Sequence, residues 1–284
     1  MENFLNCNYK YGVIHEYNGI NGGLYDAIEY AYMLSNIDST NLIIINNRTD
    51  ITSNGVKEVI EKLIEFKYTI KMSDLDIIFY DRYKNKISRN RYESLLFIDS
   101  GVVRYIPLYV AKKYCILADY IPFTIPLYYN KVKNMPNVYT FNEMPYFPAD
   151  INYKFKFAFN IYKQYNKLEN NTLISYKGQQ AGTLHITKFI NNDTKDELYF
   201  KWPINNFNQK FNRYEVYSLP DWFDPRPRIY VESIFYGISL DNIVRHIDNE
   251  NYDGAYYRLK DIKENGIEHR RLNMNDEVIK TMVS

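Results

Sequence analysis

The chain has 284 residues, with 46% hydrophobic and 24% charged residues and a formal net charge of +1. These values fit a globular protein of one large or two ordinary domains, and a near-neutral balance announces no nucleic-acid partner by itself. No apolar run approaches the roughly 18–20 residues that a membrane-crossing helix needs, so no membrane partner is expected.

Met1-Glu2-Asn3-Phe4 offers neither a basic start nor an apolar stretch, so no signal peptide is expected. The cysteines, Cys7 and Cys115, have no metal or redox spacing, and the four histidines are scattered. A reducing, cytoplasmic setting and no dedicated metal cage are therefore expected. The 30 tyrosines accompany abundant Ile, Asn, Lys and Phe, all with AT-rich codons, so tyrosine number mainly reflects coding composition.

In chain order, Tyr11-Gly12-Val13-Ile14-His15-Glu16-Tyr17 predicts a strand, and Asn18-Gly19-Ile20-Asn21-Gly22-Gly23 a glycine-rich turn. Leu24, Ala27, Ile28, Ala31 and Leu34 recur at helical spacing. Leu42-Ile43-Ile44-Ile45 is a continuous apolar run, as in buried parallel strands. Val56, Val59, Ile60, Leu63 and Ile64 predict a second helix. Residues 77–80, 94–99 and 114–118 read as further strands. Strands alternating with helices predict a parallel sheet with helical crossovers, an α/β fold.

Five prolines between Pro122 and Pro148 mark residues 120–150 as a connection between two halves. Beyond it, 172–176 predicts a strand, 177–182 a loop, and 183–190 a helix. Residues 197–200 and 214–217 predict strands, and 229–236 and 256–264 short helices. The expected organisation is one α/β domain over 1–150 and a second over 151–284, its C-terminal tail crossing back.

Three junctions carry candidate chemistry. Gly22 and Gly23 permit close backbone approach of a ligand to a helix start, but the full G-x-G-x-x-G spacing is missing. A tight turn without a ligand explains them equally well. At Tyr176-Lys177-Gly178-Gln179 a Lys and a Gly follow a buried strand and precede the expected helix, which suits a phosphate cradle. Arg226-Pro227-Arg228-Ile229-Tyr230-Val231-Glu232 sets two guanidinium forks before a helix start and a carboxylate one turn in. Arginine grips phosphate in multidentate fashion, and a carboxylate accepts both hydroxyls of a ribose. A surface salt-bridge network is the plainer reading of the same residues.

A general base is expected from the other half, across a cleft. Asp99 and Asp119 each end a predicted strand, where partial desolvation raises basicity. His15 and Glu16 compete from beside the Gly-Gly turn, and helix capping is the commoner fate of such an Asp. Arg82, Lys84, Lys86, Arg89 and Arg91 make five basic residues in ten, interleaved with Tyr83 and Tyr92 close by. They form either a solvated loop or a phosphate-tracking patch for DNA.

Three stretches resemble one family. Tyr114-Cys115-Ile116-Leu117-Ala118-Asp119-Tyr120-Ile121-Pro122-Phe123, Ile174-Ser175-Tyr176-Lys177-Gly178, and Arg228 to Glu232 are similar, in this order, to stretches of two-domain GT-B type glycosyltransferases. The likeness is greatest to the phage DNA glucosyltransferases that decorate hydroxymethyl-pyrimidines. The resemblance implies two Rossmann-like domains facing across a cleft, the acceptor side over 1–150 and the nucleotide-sugar-binding side over 151–284. It also implies a nucleotide-diphosphate sugar as co-substrate, UDP-sugar favoured, with Asp119 as base, Glu232 on the ribose, and no required metal. The chain departs from that family in being shorter and in lacking arginines at 177–180, which moves diphosphate binding towards Arg226 and Arg228. DNA is the preferred acceptor. A surface glycan or small metabolite is the alternative within the class, and a non-catalytic nucleic-acid- or protein-binding module on the same scaffold is the alternative outside it. A dinucleotide-dependent oxidoreductase is disfavoured by Asn46-Asn47-Arg48, which brings no acid after the second strand.

Overall fold

The computed structural model describes residues 9–81, 90–98, 105–106, 109–118, 135, 137–142, 151–152, 156–163, 171–177, 187–191, 197–199, 214–218 and 272–284. The chain divides into two compact units. One comprises Met1–Glu61, Ile70–Ala158 and Leu272–Ser284, the other Lys62–Thr69 and Phe159–Arg271. Set beside a division at residue 150, the first unit runs on to Ala158 and includes the C-terminal segment.

The first unit opens with β1 (Tyr9–Tyr17), α1 (Gly22–Ser35), β2 (Thr40–Asn46) and α2 (Ser53–Lys67), whose last turn belongs to the second unit. A single 3-10 turn, Met72–Asp74, leads into β3 (Asp76–Asp81). Then come β4 (Arg91–Ile98), β5 (Val110–Ala118), β6 (Val138–Asn142) and β7 (Ile151–Asn152). All seven strands join one sheet in the order β3-β2-β1-β4-β5-β6-β7, and every pairing is parallel. The first unit is therefore α/β, with a parallel sheet whose strand order is compatible with a Rossmann-like arrangement.

The apolar patterns explain the layers. All of β2 is buried, as expected of a strand covered on both faces. One face of the sheet contributes Ile14, Ile43, Ile45, Leu95, Phe97 and Ile116 to a core closed by Tyr105, Ile106 and Tyr109 from the segment before β5. Gly12 belongs to this packing: a Cβ there would stand 2.5 Å from Leu95 Cδ2 and 2.8 Å from Tyr92 Cε1. α1 lies against β1, β2 and β4. It ends at Asn36, whose side-chain amide donates to Tyr32 O at 2.9 Å.

The C-terminal helix α3 (Glu277–Val283) packs on β4 and β5. Asp276 caps it, accepting from the N–H groups of Val278 and Ile279 at 2.9 and 3.2 Å. The same carboxylate accepts from Tyr30 of α1 at 3.4 Å and faces Lys156 Nζ at 3.6 Å. Ser94 donates to Met282 O, Lys113 donates to Thr281 O, and Leu272 N donates to Phe157 O at 2.7 Å. Glu29, one residue before Tyr30, accepts from Ala158 N at 3.0 Å. Glu29 and Tyr30 of α1 thus bind the segments where the chain leaves the first unit and re-enters it.

Within the second unit, the end of α2 meets Phe159–Ile161. Thr69 N donates to Ile161 O at 2.7 Å, and Tyr68 and Tyr162 pack edge to face at 5.2 Å. Its sheet holds β8 (Asn171–Lys177), β9 (Thr187–Asn191), β10 (Glu197–Tyr199) and β11 (Tyr214–Ser218) in the order β10-β9-β8-β11. β8/β9 and β9/β10 are antiparallel, and β8/β11 is parallel.

Two expectations are corrected. Residues 120–150 are not merely a connection, because Val138–Asn142 is a strand of the parallel sheet. Its β-branched and aromatic residues sit between prolines, and the punctuation masks the strand. Residues 183–190 do not form the expected helix throughout, because Thr187–Asn191 is β9. Pairing with β8 in antiparallel sense needs only a hairpin connection, whereas a parallel partner would have needed a crossover. The expected helices at 229–236 and 256–264 lie outside the described residues.

Candidate functional site

From the neighbouring strands β1 and β4 the chain builds outward in both directions, through β2 to β3 and through β5 to β7. Open parallel sheets leave a crevice at the carboxyl ends of such a strand pair. Here its β1 wall is the turn 18–23. Gly19 has φ +130°, a conformation that side-chain-bearing residues rarely adopt. Asn21 caps α1, its Oδ1 accepting from Leu24 N at 3.0 Å. Gly22 and Gly23 are the first two residues of α1. They differ in surroundings: a Cβ on Gly22 would meet nothing within 4 Å, while one on Gly23 would stand 3.0 Å from His15 Cε1.

The turn is stitched to the loop after β2. Asn47 N donates to Tyr17 O at 3.1 Å, and Asn47 Nδ2 donates to Asn18 Oδ1 at 2.8 Å. Asn46 Oδ1 accepts from Arg48 N at 3.0 Å, and Asn46 Nδ2 donates to Ile51 O at 2.7 Å and to Asp81 Oδ1 at 3.2 Å. Ser53, at the head of α2, donates to the same Asp81 oxygen at 2.5 Å. These bonds fix the carboxyl ends of β1, β2 and β3 as one polar rim. Arg48 forms an ion pair with Asp50, with Nε 2.8 Å from Oδ1. The guanidinium's hydrogen bond holds the Asp50 carboxyl below its usual range.

His15 and Glu16 both sit at the carboxyl end of β1 and are buried, His15 with no exposed surface. The His15 ring lies beneath the first turn of α1. Among the described residues no group of three or more His, Cys, Asp or Glu is arranged to hold a metal ion. Cys115 is buried in β5, where burial pushes its thiol up to about 12.

Of the residues singled out from the sequence, Gly22 and Gly23 stand at this rim. Lys177 ends β8 and pairs in register with Thr187, so the strand after its loop is antiparallel. Arg91 is the first residue of β4 and exposed. It lies at the amino edge of the sheet, seven residues or about 23 Å from Ile98 at a strand rise of about 3.3 Å. The structure does not bring Arg91 to the rim. Asp99, Asp119, Gly178, Gln179, Arg226, Arg228, Glu232, Arg82, Lys84, Lys86 and Arg89 lie outside the described residues. The strands leading to the two aspartates are neighbours, with Ile98 beside Leu117.

Sequence reasoning passed over the Asn46, Asp81 and Ser53 bonds and the Asn18–Asn47 bridge. Their only signal was asparagine or aspartate at the ends of three strands, a placement that turn chemistry explains just as well. Among the described residues no helix is long and apolar enough to cross a membrane. No family model, curated protein or solved structure matches this chain.

Proposed function

We propose that the chain is a glycosyltransferase that takes a sugar from a nucleotide-diphosphate sugar, UDP-sugar favoured, and moves it to an acceptor hydroxyl, preferably on a hydroxymethylated base in DNA. One observation carries this reading: a two-glycine helix start with open space at Gly22 stands at the switch point of a parallel sheet. Such a start offers N–H groups and a favourable dipole to a diphosphate. The resemblance of the segments around Asp119, Lys177 and Arg228–Glu232 supplies the chemical class.

In the proposed mechanism the acceptor hydroxyl attacks the anomeric carbon as the bond to the diphosphate breaks. Asp119 takes the hydroxyl proton, with Asp99 as the second candidate. Arg226, Arg228 and Lys177 stabilise the charge that develops on the leaving diphosphate. Glu232 holds the ribose. A base modified within duplex DNA is extruded from the stack to be reached, and residues 82–89 would track the backbone. Arg91, at the opposite sheet edge, would serve only as a remote phosphate contact.

The test is a donor screen. The protein is incubated with UDP-, GDP- and ADP-sugars, with and without hydroxymethylated duplex DNA, reading nucleotide-diphosphate release and DNA mass. DNA-dependent release that is lost in Glu232→Ala supports the proposal. Release without DNA dependence moves the acceptor to a glycan or metabolite. No release with any donor overturns the enzyme reading in favour of a binding module.

A further inference from the structure

The two glycines at the head of α1 face different things, and the difference points below the helix. An added methyl at Gly22 enters open space. An added methyl at Gly23 is wedged between His15 Cε1 at 3.0 Å, His15 Nδ1 at 3.4 Å and Asn21 Oδ1 at 3.5 Å. The imidazole has no exposed surface, so it has nowhere to retreat, and close-packed interiors transmit such strain to the backbone. The Asn21 oxygen is committed as well, since it accepts the Leu24 N–H. The first turn of α1 is therefore seated on a ring below and held by a cap at its side.

We propose that His15 is a positioning residue for the nucleotide-binding turn: its buried ring, in contact with Gly23, sets the position of the Gly22 and Gly23 N–H groups and so the affinity for a diphosphate. The inference rests on the nucleotide reading above. A cradle of N–H donors works only when its donors stand where the anion's oxygens will be. Glycine at 23 lets the turn settle onto the ring, and the ring keeps it from settling further. His15 touches no ligand in this arrangement.

The experiment measures UDP affinity by calorimetry beside thermal unfolding, for the wild-type chain, Gly23→Ala, His15→Ala and the double variant. Gly23→Ala is expected to weaken UDP binding by about tenfold, the scale of one overpacked methyl. The double variant, in which the methyl takes part of the space left by the ring, is expected to recover most of that loss. Should Gly23→Ala fail to fold, His15→Ala alone is expected to weaken binding several-fold while remaining folded. A purely structural contact would shift the unfolding temperature and leave affinity unchanged, and that result overturns the proposal. Weakening by Gly23→Ala that the double variant does not restore also overturns it. Absence of binding of UDP, GDP and ADP alike by the wild-type chain overturns the nucleotide reading and the positioning role with it, whereas wild-type binding indifferent to both substitutions overturns the positioning role alone.

Discussion

Two strand ends in this molecule carry the same local signature, a strand followed in sequence by glycine and polar residues, yet they lead to different elements. After β1 the chain turns through Gly22 and Gly23 into a 14-residue helix. After β8 it passes Gly178 and returns as β9, antiparallel to the strand it left. The segment beyond the glycine separates the two. Leu24, Ala27, Ile28, Ala31 and Leu34 keep one helical face, and all are buried. Residues 183–190, Thr-Leu-His-Ile-Thr-Lys-Phe-Ile, also place Ile186, Phe189 and Ile190 at helical spacing, but they are rich in β-branched side chains, which favour a strand. A glycine after a strand thus announces a turn. The side-chain types that follow, and the partner strand on offer, decide whether a helix start, and with it an anion-binding geometry, is formed.

The largest effect is expected from removing the packing that makes the first junction helical. Ile28 has no exposed surface, and Ile28→Ala is expected to cost about 2–5 kcal/mol, read as a lowered denaturant midpoint at unchanged slope. A loss well below that range would mean α1 is not seated on the sheet as described.

The second junction is tested by a crosslink. Ser175 and Phe189 face each other across β8 and β9. Opposed residues of an antiparallel pair have Cα separations that a disulfide accepts. Ser175→Cys with Phe189→Cys, in a Cys7→Ser background, is expected to oxidise readily, giving a faster band on a non-reducing gel and a gain of about 3 kcal/mol. A continuous helix over 183–190 would leave the pair reduced.

Gly22→Ala sharpens the contrast between structure and function at the first junction. With no atom near the new methyl, it is expected to leave the fold intact or stabilise it by about 0.4–1 kcal/mol. UDP affinity should nevertheless fall, because the methyl occupies space proposed for the ligand. Unchanged affinity would move the ligand away from this turn.

The smallest effect lies at the far end of β1, away from both junctions. Tyr9 donates to Asp76 Oδ2 at 2.5 Å, and that bond, helped by burial, raises its pKa from 10.0 to about 12. The fold holds this proton more tightly than the unfolded chain does. Its contribution is complete below pH 10 and is lost as pH rises towards 12. Tyr9→Phe is expected to give a flatter stability profile over that window, measured by alkaline titration of the unfolding midpoint, with ligand affinity unaltered.

Much of the parallel sheet is legible in the sequence because most of its strands are short apolar runs and its helices 3.6-residue patterns, and both signals are local. β1 to β5 and the first two helices can be read this way, as can β8, β10 and β11. β6 cannot, because Val138–Asn142 is short and sits among prolines, and its status depends on β5 offering an edge to pair with. Of the rim, Gly22 and Gly23 are visible as a pair, but their unequal surroundings are not, since one depends on a ring eight residues back on the strand below.

The α/β class, the burial of β2 and the helical character of α1 follow from local sequence, because hydrophobic periodicity acts over neighbouring residues. The strand order, the antiparallel pairing of β9 with β8, and the separation of Arg91 from the carboxyl rim come from the tertiary structure alone. Each of those depends on which distant backbone groups satisfy one another's hydrogen bonds. That choice is settled by the packing of the whole chain and is not written in any single segment.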